Sequence, residues 1–88
     1  MYTIEITLRY SPFPMSIQKK DHEAALNVFN DIKNHMHDSN NNHLIDLNCE
    51  KMKDKIISVL AKEIIAIQIY EKSAIAGGSK RPGFSLDN

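Results

Sequence analysis

Segments that alternate every second residue bracket one segment that repeats every 3.6, and that contrast constrains the fold more than any short motif does. Residues 2–10 alternate without a break: Tyr2, Ile4, Ile6, Leu8 and Tyr10 fall on one face, Thr3, Glu5, Thr7 and Arg9 on the other. Period two with β-branched residues reads as a half-buried strand. Ser11-Pro12-Phe13-Pro14 ends it, because two prolines so close cannot continue a hydrogen-bonded ladder. Phe13, Met15 and Ile17 resume the alternation, so a second short strand is expected to close near Lys19-Lys20 and to pair back as an antiparallel hairpin.

Asp21 is then a plausible N-cap, with Glu23 in the first turn on the favourable side of the helix dipole. Ala25, Val28, Phe29, Ile32 and Met36 recur at helical spacing and form one apolar stripe, while Asn27, Asn30, Asp31, Lys33 and Asn34 take the outer face. The helix should end near His37, since Asp38-Ser39-Asn40-Asn41-Asn42 is a run of side chains that compete with the backbone for hydrogen bonds.

Alternation returns in the second half. Leu44–Glu50, Lys55–Leu60 and Ile64–Glu71 read as a three-stranded meander, with a charged turn at Lys51–Asp54 and a tight connection at Ala61-Lys62-Glu63. Ile45, Leu47 and Cys49 share one face; Ile57 and Val59 point inward; Ile65, Ile67 and Ile69 form the core stripe of the last strand, opposite Ala66, Gln68 and Tyr70. The expected fold class is α+β, in the order β-β-α-β-β-β: a curled, mostly antiparallel sheet with one helix packed on one face. Residues 1–73 are read as a single domain and residues 74–88 as a flexible tail.

Composition narrows the functional classes. With 88 residues the chain is short and its core thin, which leaves little room for a deep pocket of the enzyme kind. Eleven basic residues balance eleven acidic ones. That balance argues against a nucleic-acid partner, which needs a basic field, and it admits self-association into a homo-oligomer. Cys49 is the single cysteine, so an internal disulfide and a cysteine-based zinc site are both excluded, and a reducing, cytoplasmic setting is the simplest reading. No apolar run is long enough for a membrane span, and the charged, alternating start does not read as a signal peptide.

The residues quoted so far, in their order, resemble an uncharacterised family of short cyanobacterial proteins with no assigned activity. The resemblance covers nearly the whole chain. It rests on the Met1-Tyr2 opening, Ser16-Ile17-Gln18-Lys19-Lys20, Cys49-Glu50-Lys51, Ala66 through Ser73, Gly77-Gly78 and Arg81-Pro82-Gly83-Phe84. Asn48 and Ala61 depart from the pattern, which has threonine at both places. A looser resemblance, over the last three strands and the tail, is to short actinobacterial proteins of unknown function. What the first resemblance implies is a cytoplasmic protein of cyanobacterial type. It supplies no ligand and no catalytic residue.

Each chemistry-bearing group has a plain alternative. His35, His37, Asp38 and His43 gather at the helix end, where imidazole and carboxylate suit a metal. His35 and His37, however, sit two apart on a helix and face different ways, and histidine at a helix C-terminus is favoured by the dipole alone. Cys49 beside Lys51 has the neighbourhood of a reactive thiol, yet it falls in phase with Ile45 and Leu47 and so reads as packing. Lys19, Lys20, Lys51, Lys53 and Lys55 outline a basic rim fit for RNA, or an edge guarded by lysine. Gly77-Gly78-Ser79-Lys80 lacks the spacing of a phosphate loop.

No catalytic set or cofactor loop emerges, so the expected function is a non-enzymatic binding or accessory module with a protein partner and no cofactor. Its contact residues are taken to be Gln68, Tyr70 and Lys72 on the last strand and Lys80, Arg81, Pro82 and Phe84 in the tail. Two cations, a rigid proline and one aromatic in that tail make either a docking segment or a disordered end. RNA binding through the basic turns, and a metal protein or enzyme built on the histidines, are the alternatives.

Overall fold

In a computed structural model that describes residues 1–71, strands β1 (Tyr2–Leu8) and β2 (Met15–Lys19) are followed by helix α1 (His22–His37). Strands β3 (Leu44–Asn48) and β4 (Ile56–Leu60), a 3₁₀ turn at Ala61–Glu63 and strand β5 (Ile64–Glu71) complete the order. The α+β class and the element order are as expected. The helix is capped as its sequence requires: the Asp21 carboxylate accepts from the Ala24 backbone N–H at 3.2 Å, satisfying one orphan donor of the first turn.

The strands do not form one meander. β1 is the centre of a three-stranded antiparallel sheet in the order β2-β1-β5, and β3 pairs with β4 in a separate two-stranded sheet. β5 therefore pairs with the first strand and not with β4. The 3₁₀ turn makes the switch: the Ala61 N–H donates to the His43 carbonyl at 2.9 Å, and the Arg9 N–H donates to the Glu63 carbonyl at 2.8 Å. Ion pairing between Arg9 and Glu63 at 3.5 Å holds the same corner. With a neighbour on each side, β1 becomes the most buried strand, and Ile4 and Ile6 join Ile17, Ala25 and Ile32 as fully enclosed side chains.

Helix and hairpin share the task of covering that sheet. One core cluster joins Ile4, Ile6 and Ile17 of the larger sheet, Ala25 and Ile32 of α1, and Ile45, Leu47, Cys49, Ile57 and Val59 of the hairpin. The inward set read for β3 and β4 is observed. The set read for β5 is observed only in part: Ile67 and Ile69 pack against the core, and Ile65 does not. Between Thr7 and Leu8 the register shifts: Thr7 pairs with Ala66, Leu8 with Ile64, and Ile65 is the extra residue of a bulge. Ile64 is buried in its place, while Ile65 is 52% exposed and Ile67 and Ile69 are only half-buried. Strict alternation cannot reveal an inserted residue that resets its own phase.

The first hairpin needs two corrections. β1 ends at Leu8, so Tyr10 leaves the inner face; it turns into solvent at 95% exposure with a left-handed φ of 66°. Phe13 lies in the turn, 76% exposed, and Met15, opposite Ile6 on the inner face, stays 40% exposed at the start of the strand, so Ile17 alone of β2 is buried in the core.

Candidate functional site

The face of the larger sheet that points away from the helix carries a polar network centred on Glu5. Register sets Gln68 directly across from Glu5 and Tyr70 across from Thr3. The Gln68 side-chain N–H donates to Glu5 Oε1 at 2.8 Å, and the Tyr70 hydroxyl donates to Glu5 Oε2 at 2.9 Å. Each carboxylate oxygen thus holds one donor, and both donors stay on the exposed surface. Burial, then the hydrogen bond and charge of Glu5, push the Tyr70 phenol above its ordinary range. Thr3, on the same face, is 3% exposed because Tyr70 and Gln18 flank it across the two neighbouring strands. Its hydroxyl lies beside the phenol, without hydrogen-bond geometry good enough to pair.

Two edges of this sheet are treated differently. Along β2, four backbone groups on the side away from β1 meet groups from the β3–β4 turn. The Gln18 N–H donates to Cys49 Sγ at 3.3 Å, and the Glu50 N–H donates to the Gln18 carbonyl at 2.8 Å. Lys55 Nζ donates to the Ser16 carbonyl at 3.0 Å, and the Lys20 N–H donates to Glu50 Oε1 at 2.7 Å. The Cys49–Lys55 turn is thereby a cap on a sheet edge, a device that blocks further strand pairing. Among the described residues, β5 on the opposite edge has a strand neighbour only on its β1 side.

Cys49 is buried, as its phase requires, yet it is more than packing. Burial alone raises a thiol's pKa. Here the backbone N–H groups of Met52, Gln18 and Lys51 and the charge of Lys55 outweigh burial and leave the thiol below its ordinary value. The neighbouring lysine that matters is Lys55, brought close by the turn, which chain distance did not reveal.

The remaining groups are placed as follows. His35 and His43 come together, but by bonding one another: His43 Nε2 lies 2.8 Å from His35 Nδ1, and His35 Nε2 lies 3.6 Å from the Asp31 carboxylate. The chain of contacts directs imidazole nitrogens at each other instead of at a common point. Among the described residues no three histidine, cysteine, aspartate or glutamate groups are grouped to hold a metal. Of the basic turns, Lys55 is tied to a backbone carbonyl and Glu50 lies in the middle of the patch, so the rim is a braced edge. Gln68 and Tyr70 are brought together by Glu5, a residue read from sequence as merely solvating; only the register of distant strands reveals its role. Lys72, Lys80, Arg81, Pro82 and Phe84 lie outside the described residues. Among the described residues no helix is long and apolar enough to cross a membrane.

The UPF0367 protein family model matches residues 3–72, which take in the helix and, apart from Tyr2, every described strand residue. The chain belongs to the UPF0367 family. It is 64% identical over 88 residues to a UPF0367 protein of Prochlorococcus marinus subsp. pastoris, covering 99% of each chain. It is 47% identical to a UPF0367 protein of Synechococcus sp. CC9902, covering the whole of both. A UPF0367 protein of Synechococcus sp. WH7803 is 44% identical over 87 residues, 99% of each. The family is cyanobacterial in these relatives and carries no assigned activity. No solved structure matches the chain.

Proposed function

We propose that this UPF0367 chain is a small non-enzymatic accessory module that binds a protein partner through the outer face and the β5 edge of its three-stranded sheet. One observation carries the reading: Glu5 fixes two exposed side chains, Gln68 and Tyr70, in one geometry on an otherwise open face. A tyrosine held in place loses little side-chain entropy when a partner covers it, which favours recognition. With both Glu5 oxygens engaged, the carboxylate is a positioning group and not a free acid or base. Lys72 continues β5 in sequence, and Lys80, Arg81, Pro82 and Phe84 extend the contact in the tail. The single cysteine supports a reducing, cytoplasmic setting.

Affinity capture from native cyanobacterial lysate tests the reading. The intact chain should retain a reproducible protein, Tyr70→Ala should weaken retention about tenfold or more, as at an interface hot spot, and deletion of residues 77–88 should weaken it further. A chain that retains no protein reproducibly overturns the proposal.

A further inference from the structure

β5 has the composition of a buried strand, but among the described residues it occupies an edge. Its sequence Ile64-Ile65-Ala66-Ile67-Gln68-Ile69-Tyr70 has no proline, no glycine and no charge before Glu71. Edge strands that stay solitary usually carry lysine, proline or a cover. The other edge of the same sheet has such a cover in the Cys49–Lys55 turn. Ile67 and Ile69, at inward positions, are left half-buried where β1 buries Ile4 and Ile6 completely.

From these contrasts we propose that two copies of the chain pair antiparallel along β5, joining their three-stranded sheets into one continuous sheet. This deepens the accessory-module reading, and rests on it, by naming the occupant of the β5 edge. Backbone direction fixes the register. Gln18 turns its N–H and carbonyl away from β1, so Thr3, its partner, directs both of its groups toward β5. Tyr70 and Gln68 therefore face β1, and the intervening Ile67 and Ile69 direct their N–H and carbonyl groups outward. An antiparallel pair with its two-fold axis at Gln68 sets Ile67 opposite Ile69 of the second copy, and Ile69 opposite Ile67. Each such pair exchanges two backbone hydrogen bonds.

The side chains fit the same register. On the outer face Ala66 meets Tyr70 of the second copy, small against large, and the two Gln68 amides meet on the axis. On the inner face the half-buried Ile67 and Ile69 cover one another. Glu71 falls opposite Ile65, so no like charges oppose within this stretch. The interface is isologous and closes as a dimer, because each copy offers the same β5 edge to the other.

Light scattering of the purified full chain should give the dimer mass. Gln68→Lys sets two ammonium groups face to face on the axis and should give the monomer mass at low salt with an unchanged circular-dichroism spectrum. In a Cys49→Ser background, Gln68→Cys should oxidise to a covalent dimer, because directly opposed residues of a non-hydrogen-bonded pair lie within disulfide reach. Ser58→Cys on the outer face of the hairpin should not cross-link. A monomer mass at the highest soluble concentration, or a Gln68→Lys chain that remains dimeric, overturns the proposal. A monomer that still captures a partner through Tyr70 removes the dimer while leaving the accessory reading intact; a dimer that captures nothing supports the pairing and removes the external partner.

Discussion

The Tyr70 hydroxyl donates to Glu5 Oε2 at 2.9 Å, tying the last strand to the first across the outer face of the sheet. That contact has a pH signature. Burial first, then the Glu5 hydrogen bond and charge, hold the phenol above its ordinary value of 10.0. A group with a raised folded-state pKa contributes stability that is whole below the unfolded value and is lost as pH climbs through the folded one. Folding stability should therefore decline as pH rises past 10.0, and Tyr70→Phe should flatten that decline. Tyrosinate absorbance should show Tyr70 ionising above 10.0, and Glu5→Gln should lower that midpoint. A Tyr70 titration unchanged by Glu5→Gln would contradict the geometry.

Glu50 braces the capped edge. Its carboxylate accepts the Lys20 N–H, and its own N–H reaches the Gln18 carbonyl. Glu50→Ala keeps the second bond and removes the first, at a cost of about 1 kcal/mol. Amide exchange at Lys20 should accelerate while exchange at Ile4 and Ile6 stays slow. Denaturant unfolding and exchange on the same variant check both halves of this expectation.

Cys49 should behave as a thiol of unusual acidity that is hard to reach. Its depressed pKa arises despite burial, from the N–H groups of Met52, Gln18 and Lys51 and the charge of Lys55. Lys55→Met removes that charge, so the midpoint of the pH profile for alkylation by iodoacetamide should move upward. An unmoved midpoint would show that Lys55 does not reach the thiol electrostatically.

Tyr10 occupies a left-handed backbone conformation and is almost wholly exposed. A side chain with a Cβ is disfavoured there by about 1–2 kcal/mol. Tyr10→Gly should leave melting temperature unchanged or raise it slightly, since glycine relieves the strain but loosens the unfolded chain. A clear loss of stability would mean that the ring packs on something the turn conceals.

Depth of burial separates isoleucines that look equivalent in sequence. Ile4→Ala empties a fully enclosed site and should cost about 2–5 kcal/mol. Ile67→Ala, at a half-buried edge position, should cost the isolated monomer distinctly less. Ile65→Asp should fold, because the bulge has turned that side chain outward. Chemical denaturation of the three variants in parallel provides the comparison.

Helix α1, its Asp21 cap and the inward residues of β3 and β4 were legible from periodicity, because each depends on neighbours within a few residues. Family membership was legible too, in the order of several modest motifs. The Glu5 network, the capping of β2 by the Cys49–Lys55 turn and the Cys49 environment were not legible. Each joins residues on different strands, and nothing in Glu5 or Glu50 alone distinguishes a bonded carboxylate from a solvated one. Local pattern determined which segments are strands and which is helix, since period two and period 3.6 follow from backbone geometry. Tertiary structure decided that β5 leaves its sequence neighbour for β1. That choice buries β1 between two partners, resets the phase of Ile64 and Ile65 by a bulge, and leaves Ile67, Gln68 and Ile69 along an edge that no other described strand covers.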